Sequence, residues 1–153
     1  MQDFVHLHVH TQYSLLDGQA SVARLVDKAM KNGMKGIAVT DHGNMFGIKE
    51  FTNYVNKKNS GPKGEVKDLK KRIAGIEAGT IECADKEAEI ATCKAKIVEA
   101  ENKLFKPVIG CEMYVARRTM DLKEGKPDQS GYHLIVLAKN EKGYHNRSYI
   151  RDR

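Results

Sequence analysis

Apolar and polar residues alternate at the start of the chain, and this alternation predicts a β-strand. Residues 4–10 read Phe-Val-His-Leu-His-Val-His. Successive side chains of an extended strand point to opposite faces, so His6, His8 and His10 should share one face, opposite the aliphatic residues. Several imidazoles on one face are hard to justify as packing, because histidine is the commonest metal ligand. The strand therefore predicts the floor of a metal site. The alternatives are a His-rich surface strand and an expression tag, and the aliphatic residues between the histidines argue against a tag.

Helical and strand-like patterns alternate over the next 50 residues. Ser21 is placed to cap a helix whose apolar residues recur every three or four positions, and Gly33 is placed to end it. Residues 36–40 form a short apolar run of the kind found in buried parallel strands, and a second helix is predicted over about 47–58. This order predicts an α/β fold with a parallel sheet.

The pattern changes at residues 59–64, where Asn, Ser, Gly and Pro predict a turn-rich boundary. From 65 to 105 the chain is rich in Lys, Glu and Ala, with an apolar residue at every seventh position from Leu69 to Leu104. The partner heptad positions fail after Val66 and Ile73, so we expect a helical hairpin bending near Gly79 and not one coiled coil. Two interpretations of this insertion, 61–105, stay open: a solvated helical segment with a narrow apolar seam, or a partner-binding arm.

Two further strands are predicted after the insertion, over 107–116 and 132–138, with a loop over 117–131 between them. The chain is therefore divided into the first part of a domain (1–60), the insertion (61–105), the continuation of that domain (106–146) and a tail (147–153). The tail carries three arginines and is expected to be a foreign sequence or a truncated natural helix. Four strands cannot close a barrel, so we expect a fragment of a larger domain, and self-association could cover its exposed faces.

The composition of the chain limits the classes of protein to which it can belong. The chain has 153 residues, of which 41% are hydrophobic, enough for one modest core. No apolar run reaches the roughly 18 to 20 residues of a membrane span, so no membrane partner is expected. Three cysteines without CxxC spacing predict no disulfide framework, which fits a reducing cytoplasm. The net charge of +6 only weakly favours an anionic partner such as nucleic acid.

Charged and polar side chains gather where the predicted strands end. Loops 11–18 and 41–47 each place a carboxylate with hydroxyl groups or a histidine at the carboxyl end of a strand, where parallel α/β folds bind ligands. Glu112 lies inside an otherwise apolar strand and needs a partner, for which a divalent cation is one candidate. The candidate metal ligands come from four strands and their loops: His8, His10, Asp17, His42, Glu112 and His133.

This mixture of imidazoles and carboxylates suits zinc, manganese or iron. Bridging carboxylates could hold two or more ions, an arrangement used to cleave phosphoesters. Asp41 could instead orient the imidazole of the neighbouring His42 without binding metal itself. Each residue taken singly is at least as well explained by a buried structural role, so the prediction depends on the combination.

Four motifs, in order, resemble those of the PHP (polymerase and histidinol phosphatase) family. They read HVHTQYSLLDG at 8–18, GIAVTDHGNMFG at 36–47, KPVIGCEMYVA at 106–116 and HLIVLAKN at 133–140. More narrowly, they resemble the PHP domain at the N-terminus of the bacterial replicative polymerases, the DNA polymerase III alpha subunits. Segment 61–105 has no counterpart in the general pattern.

The resemblance implies a distorted seven-stranded (β/α) barrel, of which this chain would be the N-terminal portion. It implies up to three divalent metal ions, zinc or manganese, at the carboxyl ends of the strands. His8 and His10 would be the first ligand pair, and His6 a buried neighbour beside them. The further implied ligands are Asp17, His42, Glu112 and His133. The family pattern continues with another histidine or cysteine and an Asp-x-His pair that this chain does not reach, so we expect weak metal binding and little activity from it alone.

The resemblance also implies a function. The parent would be a cytoplasmic DNA-directed DNA polymerase whose partners are DNA and the other subunits of the polymerase III holoenzyme, with its polymerase active site outside this chain. The PHP domain would be a metal-dependent phosphoesterase of the 3′–5′ exonuclease type. Two alternatives stay open: a stand-alone phosphatase acting on a small phosphomonoester such as histidinol phosphate, and a non-catalytic, metal-stabilised scaffold that docks polymerase subunits.

Overall fold

A computed structural model of the chain describes residues 4–119, 121–129 and 131–149. The helices are α1 (Val22–Lys31), α2 (Ile48–Lys58), α3 (Ser60–Glu77), α4 (Lys86–Asn102) and α5 (Glu141–Tyr149), with a short 3₁₀ turn at Lys126–Asp128. The strands are β1 (Gly36–Val39), β2 (Lys106–Val115) and β3 (Tyr132–Leu137). The fold is therefore mixed α/β with a small sheet. Of the predicted tail 147–153, residues 147–149 belong to α5 and 150–153 lie outside the described residues.

The chain divides into two compact units. One combines Met1–Tyr54 with Lys106–Arg153, and the other is Val55–Phe105. The domain boundaries drawn from the sequence, with an insertion over 61–105, stay a prediction.

The sheet has the order β1-β2-β3 and mixes two strand directions. β1 runs parallel to β2, with Gly36 opposite Lys106 and Val39 opposite Ile109. β3 is antiparallel to β2, so the predicted parallel sheet is confirmed for β1 and β2 but not for β3. A parallel connection needs a long crossover that is usually a helix, whereas the described part of the β2–β3 connection contains only the short 3₁₀ turn.

The N-terminal segment 4–10 runs beside β1 without forming the predicted strand. The amide of Ala38 donates to the carbonyl of His6 (2.8 Å) and that of Thr40 to the carbonyl of Val9 (2.9 Å). The step of two residues from Ala38 to Thr40 therefore pairs with a step of three residues from His6 to Val9. This mismatch interrupts the regular hydrogen-bond ladder between the two segments. Because strict alternation depends on that ladder, the prediction that His6, His8 and His10 share one face is wrong.

Helix α1 and strand β1 form as their patterns predict. The Ser21 side chain caps α1 by accepting a hydrogen bond from the amide of Arg24 (3.4 Å), and Gly33 follows the helix with φ +76°. Val22 and Val26 on its apolar face are fully buried. All four residues of β1 are buried, which explains why its sequence is a continuous apolar run without alternation.

The unit Val55–Phe105 contains a helical hairpin, as predicted, with Gly79 at φ +72° between α3 and α4. The predicted turn-rich boundary at 59–64 is wrong, because α3 already begins at Ser60. Pro62 lies in the first turn of α3, where its missing N–H would have had no partner within the helix. The buried Asn59 side chain donates to the carbonyl of Phe105 (2.8 Å) and accepts from its amide (2.9 Å), which ties together the two ends of the unit.

None of the helices in the described ranges has both the length and the apolar character needed to cross a bilayer.

Replacing Gly110 by alanine should destabilise the protein by about 1 to 3 kcal/mol. A Cβ at this position of β2 would lie 2.7 Å from the carbonyl oxygen of Val136 and 2.8 Å from Cγ2 of Thr40, so neighbouring strands would have to shift. Urea unfolding, followed by circular dichroism, measures the change. Gly64→Ala is the control, because a Cβ there would meet no described atom within 4 Å and alanine favours the helix by up to about 1 kcal/mol. Equal stability of the two variants would contradict the packing described for β2.

Candidate metal centre

The buried carboxylate of Glu112 is the centre of a cluster of four imidazoles. Glu112 lies inside β2 and is only 3% exposed. Its Oε1 atom lies 2.9 Å from Nδ1 of His133 and 3.3 Å from Nε2 of His8. Its Oε2 atom lies 2.5 Å from Nδ1 of His42 and 3.1 Å from Nε2 of His10. Residues separated by up to 125 positions in sequence therefore meet around one carboxylate.

The strand arrangement explains why these side chains meet. Because β1 and β2 are parallel, the residues that follow β1 pass beside the middle of β2. The amide of Glu112 donates to the carbonyl of Asp41 (3.1 Å), and the amide of Gly43 donates to the carbonyl of Glu112 (2.8 Å). On the other side of β2, antiparallel β3 pairs Ile135 with Glu112 and so places His133, two residues before it, on the same face.

Asp17 reaches the cluster through the second nitrogen of His10. Oδ2 of Asp17 lies 2.9 Å from Nδ1 of His10, and its side chain is half exposed. A compact turn makes this possible: the amides of Asp17 and Gly18 both donate to the carbonyl of Ser14 (3.1 and 2.7 Å). His10 thus lies between two carboxylates, those of Asp17 and Glu112.

Asp41 is buried and holds the first loop in place. It accepts hydrogen bonds from the amide and hydroxyl of Thr11 (2.6 and 2.9 Å) and from the hydroxyl of Ser14 (2.9 Å). The Ser14 hydroxyl in turn accepts from the amide of His42 (3.0 Å). The described hydrogen bonds of Asp41 go to Thr11 and Ser14, and its role in orienting the His42 imidazole stays a prediction. Its carboxylate connects the loop that carries Asp17 to the backbone of His42.

His6 lies away from the cluster. Its side chain is exposed, its ring packs edge-on against Phe4 with 4.7 Å between centroids, and it lines a cavity of about 230 Å³ together with Val9 and Lys28. The expectation of a buried His6 beside the ligands is therefore wrong, because the broken ladder turns His6 to the side of α1.

Tyr114 joins the site although the sequence analysis did not single it out. Its hydroxyl contacts Nε2 of His42, and its ring lies edge-on to the rings of His42 (4.9 Å between centroids) and His133 (4.7 Å). Tyr114 is two residues after Glu112 in β2 and therefore on the same face. The alternation of the strand was the signal that could have identified it.

The surroundings of Glu112 favour its charged form. Burial alone would raise the pKa of this carboxyl, but hydrogen bonds with His42 and His133, together with the charges of His10 and His133, hold the pKa below its ordinary value. At neutral pH Glu112 is therefore a carboxylate with two acceptor oxygens, the form that binds metals.

The geometry and chemistry of the donors fit divalent metal ions. Three overlapping groups each offer three ligand atoms within 4.8 Å of one another: His8-His10-Glu112, His10-Asp17-His42 and His42-Glu112-His133. In the first group the two Nε2 atoms of His8 and His10 lie 3.1 Å apart, and they lie 3.3 Å from Oε1 and 3.1 Å from Oε2 of Glu112 respectively. Neighbouring ligands of a tetrahedral zinc ion with bonds of about 2.0 to 2.1 Å are about 3.3 Å apart. Because Glu112 belongs to two groups, its carboxylate is placed to be shared.

Comparisons with known proteins agree with this geometry. The family model described as "PHP domain" matches residues 6–150. The chain is 38% identical over 144 residues to the DNA polymerase III subunit alpha of Treponema pallidum and 39% identical over 146 residues to that of Borreliella burgdorferi. It is 31% identical over 151 residues to the protein of the same name from Aquifex aeolicus. These matches cover 94 to 95% of the chain but only 8 to 9% of each relative.

Replacing Asp41 by asparagine should destabilise the protein by about 2 to 4 kcal/mol. Asparagine keeps one acceptor oxygen, and the NH₂ group that replaces the other oxygen would face donors of Thr11 or Ser14 from which the carboxylate now accepts hydrogen bonds. Thermal and urea unfolding measure the loss. Asp17→Asn is the matched control, because that half-exposed carboxylate lies in the loop that also carries Thr11 and Ser14 and should change stability by less than about 1 kcal/mol. Similar losses in both variants would contradict the role given to Asp41.

Proposed function

The chain belongs to the PHP family, and on that premise we propose that it forms a divalent-metal site that hydrolyses phosphoesters. The observation that carries this proposal is the convergence of four imidazoles on the buried carboxylate of Glu112. Such a set of donors costs folding free energy to assemble, since the ionised carboxylate of Glu112 must be desolvated. A metal-dependent reaction would explain why these donors are held together, whereas side-chain packing alone does not.

The proposed ligands are the six residues singled out from the sequence: His8, His10, Asp17, His42, Glu112 and His133. Zinc or manganese suits these donors, and we propose up to three ions in the complete domain. Bound divalent ions would supply positive charge next to the phosphate oxygens and lower the pKa of a water molecule that attacks phosphorus.

The chain itself holds the ligands in place. Glu112 remains anionic, with its Oε1 atom facing His133 and its Oε2 atom facing His42. Asn44 connects the two loops that carry Asp17 and His42, because its side-chain amide donates to the carbonyls of Tyr13 (3.1 Å) and His42 (3.0 Å). A site whose ligands are fixed by such supporting bonds loses little entropy when it binds an ion.

We propose that the substrate is a phosphodiester of DNA, cleaved in the manner of a 3′–5′ exonuclease. The loops that carry Asp17 and His42 expose large apolar side chains: Leu15 (88% exposed), Leu16 (fully exposed) and Phe46 (76%). Nucleobases stack on exposed aromatic groups, with a contribution of about 1 to 3 kcal/mol per base. The net charge of +6 also favours a polyanion. A small phosphomonoester would have less use for such a surface.

We further propose that the chain is the PHP part of a DNA polymerase III alpha-type protein, as the names of the relatives suggest. In that longer protein the sheet described above would belong to the distorted seven-stranded barrel. Its partners would be DNA and other polymerase III subunits, its compartment the cytoplasm, and its polymerase active site would lie elsewhere in the protein. Self-association of the chain studied alone stays a prediction.

Substitutions at the centre should remove both metal and activity. In His10→Ala and Glu112→Gln, zinc or manganese retained after gel filtration should fall, because each residue belongs to two ligand groups. Hydrolysis of a 3′-labelled single-stranded oligonucleotide, measured in the longer protein, should fall by at least about 100-fold. His6→Ala is the matched control, since this exposed histidine of the same segment lies outside the cluster and should retain metal and activity.

The same assay separates the alternatives. Hydrolysis of p-nitrophenyl phosphate but not of the oligonucleotide would favour a phosphatase of the histidinol-phosphatase type. Retained metal without hydrolysis of either substrate, in the chain and in the longer protein, would favour a structural domain that docks other subunits. A wild-type chain that binds neither zinc nor manganese would contradict the proposed metal site.

A further inference from the structure

Tyr114 touches two proposed ligands, His42 and His133, and is not itself one of the six proposed ligands. Its hydroxyl contacts Nε2 of His42, while Nδ1 of the same ring lies 2.5 Å from Glu112. We propose that Tyr114 is a positioning residue of the metal centre: when an ion displaces the proton that Nδ1 of His42 shares with Glu112, the Tyr114 oxygen accepts the Nε2–H of His42 and so leaves the Nδ1 lone pair facing the ion. This inference rests on the proposed function, because it concerns the same site.

The two nitrogens of a neutral imidazole have different roles, since one carries the proton and the other the lone pair. Nδ1 is the nitrogen of His42 that lies on the side of Glu112 and His10, because Oε2 of Glu112 is 2.5 Å from it and 3.1 Å from Nε2 of His10. His42 can therefore share an ion with these residues only if Nδ1 is unprotonated. The proton must then be on Nε2, where it needs an acceptor.

The Tyr114 hydroxyl provides that acceptor. Metal-binding histidines almost always donate their second ring N–H to a nearby oxygen, which selects the tautomer and fixes the ring orientation. In this site a phenol oxygen would have that role, and its own proton stays available to solvent or substrate because Tyr114 is 46% exposed.

Strand register places Tyr114 for this role. It lies directly opposite His133 in the β2–β3 ladder and on the same face as Glu112. Its ring contacts the edges of His42 and His133. A phenylalanine at this position would retain those ring contacts and lose only the hydroxyl, so the two contributions can be separated.

The test compares Tyr114→Phe with Tyr132→Phe in the full chain, with Zn²⁺ alone as the probe. Tyr132 pairs with Val115, so its side chain lies on the opposite face of the sheet, and its packing against Arg117 involves only the ring. Competition with a chromophoric chelator should show zinc affinity reduced by about 10- to 100-fold in Tyr114→Phe and unchanged in Tyr132→Phe. The visible spectrum of bound Co²⁺ should change only in Tyr114→Phe, because that spectrum reports on ligand arrangement.

Nitrogen NMR of the wild-type chain tests the tautomer without any substitution that alters folding. With zinc bound, His42 should be protonated on Nε2, and protonation on Nδ1 would overturn the proposal. Equal zinc affinity and equal Co²⁺ spectra in wild type and Tyr114→Phe would overturn it as well, while leaving the metal centre intact. A wild-type chain that binds no zinc would instead overturn the proposed function, and this inference with it.

Discussion

An ionised carboxylate buried in the middle of an apolar strand is the constraint on which the rest of this structure depends. Glu112 lies between Cys111 and Met113, which are both buried. Desolvating a carboxylate costs several kcal/mol unless charged or hydrogen-bonding partners surround it. The fold supplies these partners as imidazoles from the N-terminal segment, the loop after β1 and the strand β3. The burial of one carboxylate therefore accounts for the meeting of imidazoles from three separate segments at this site.

A second buried carboxylate, that of Asp41, holds the loops around the Glu112 cluster in place. Within the described part of the chain, the three hydrogen bonds of Asp41 hold Thr11 and Ser14, and Ser14 holds the backbone of His42. The adjacent residues Asp41 and His42 therefore have different roles. The Asp41 side chain holds the loops, and the His42 side chain belongs to the cluster. The stability of the fold and the geometry of the site are coupled through this short segment.

Local patterns predicted much of the secondary structure, because they depend on contacts between near neighbours. The cap at Ser21, the apolar face of α1, the buried run of β1 and the glycine between α3 and α4 all follow from the side chains themselves. The failures have physical reasons too. Residues 59–64 have turn composition, yet the first turn of a helix tolerates Pro62 and the glycines around it. The direction of β3 depends on the length and structure of its connection to β2, which the periodicity of apolar residues does not predict.

By itself, the sequence indicated which residues could bind a metal, and it placed two of them, Asp17 and His42, in loops that follow predicted strands. Residue type and strand order carry this information, since the chemistry belongs to each side chain and parallel strands end at the same edge. Only the tertiary structure decided which of these residues meet. The uneven match between segment 4–10 and β1 separates His6 from His8 and His10, and the register of β2 with β3 brings Tyr114 against His42 and His133. Backbone hydrogen bonds between distant segments set that register, and no local pattern records them.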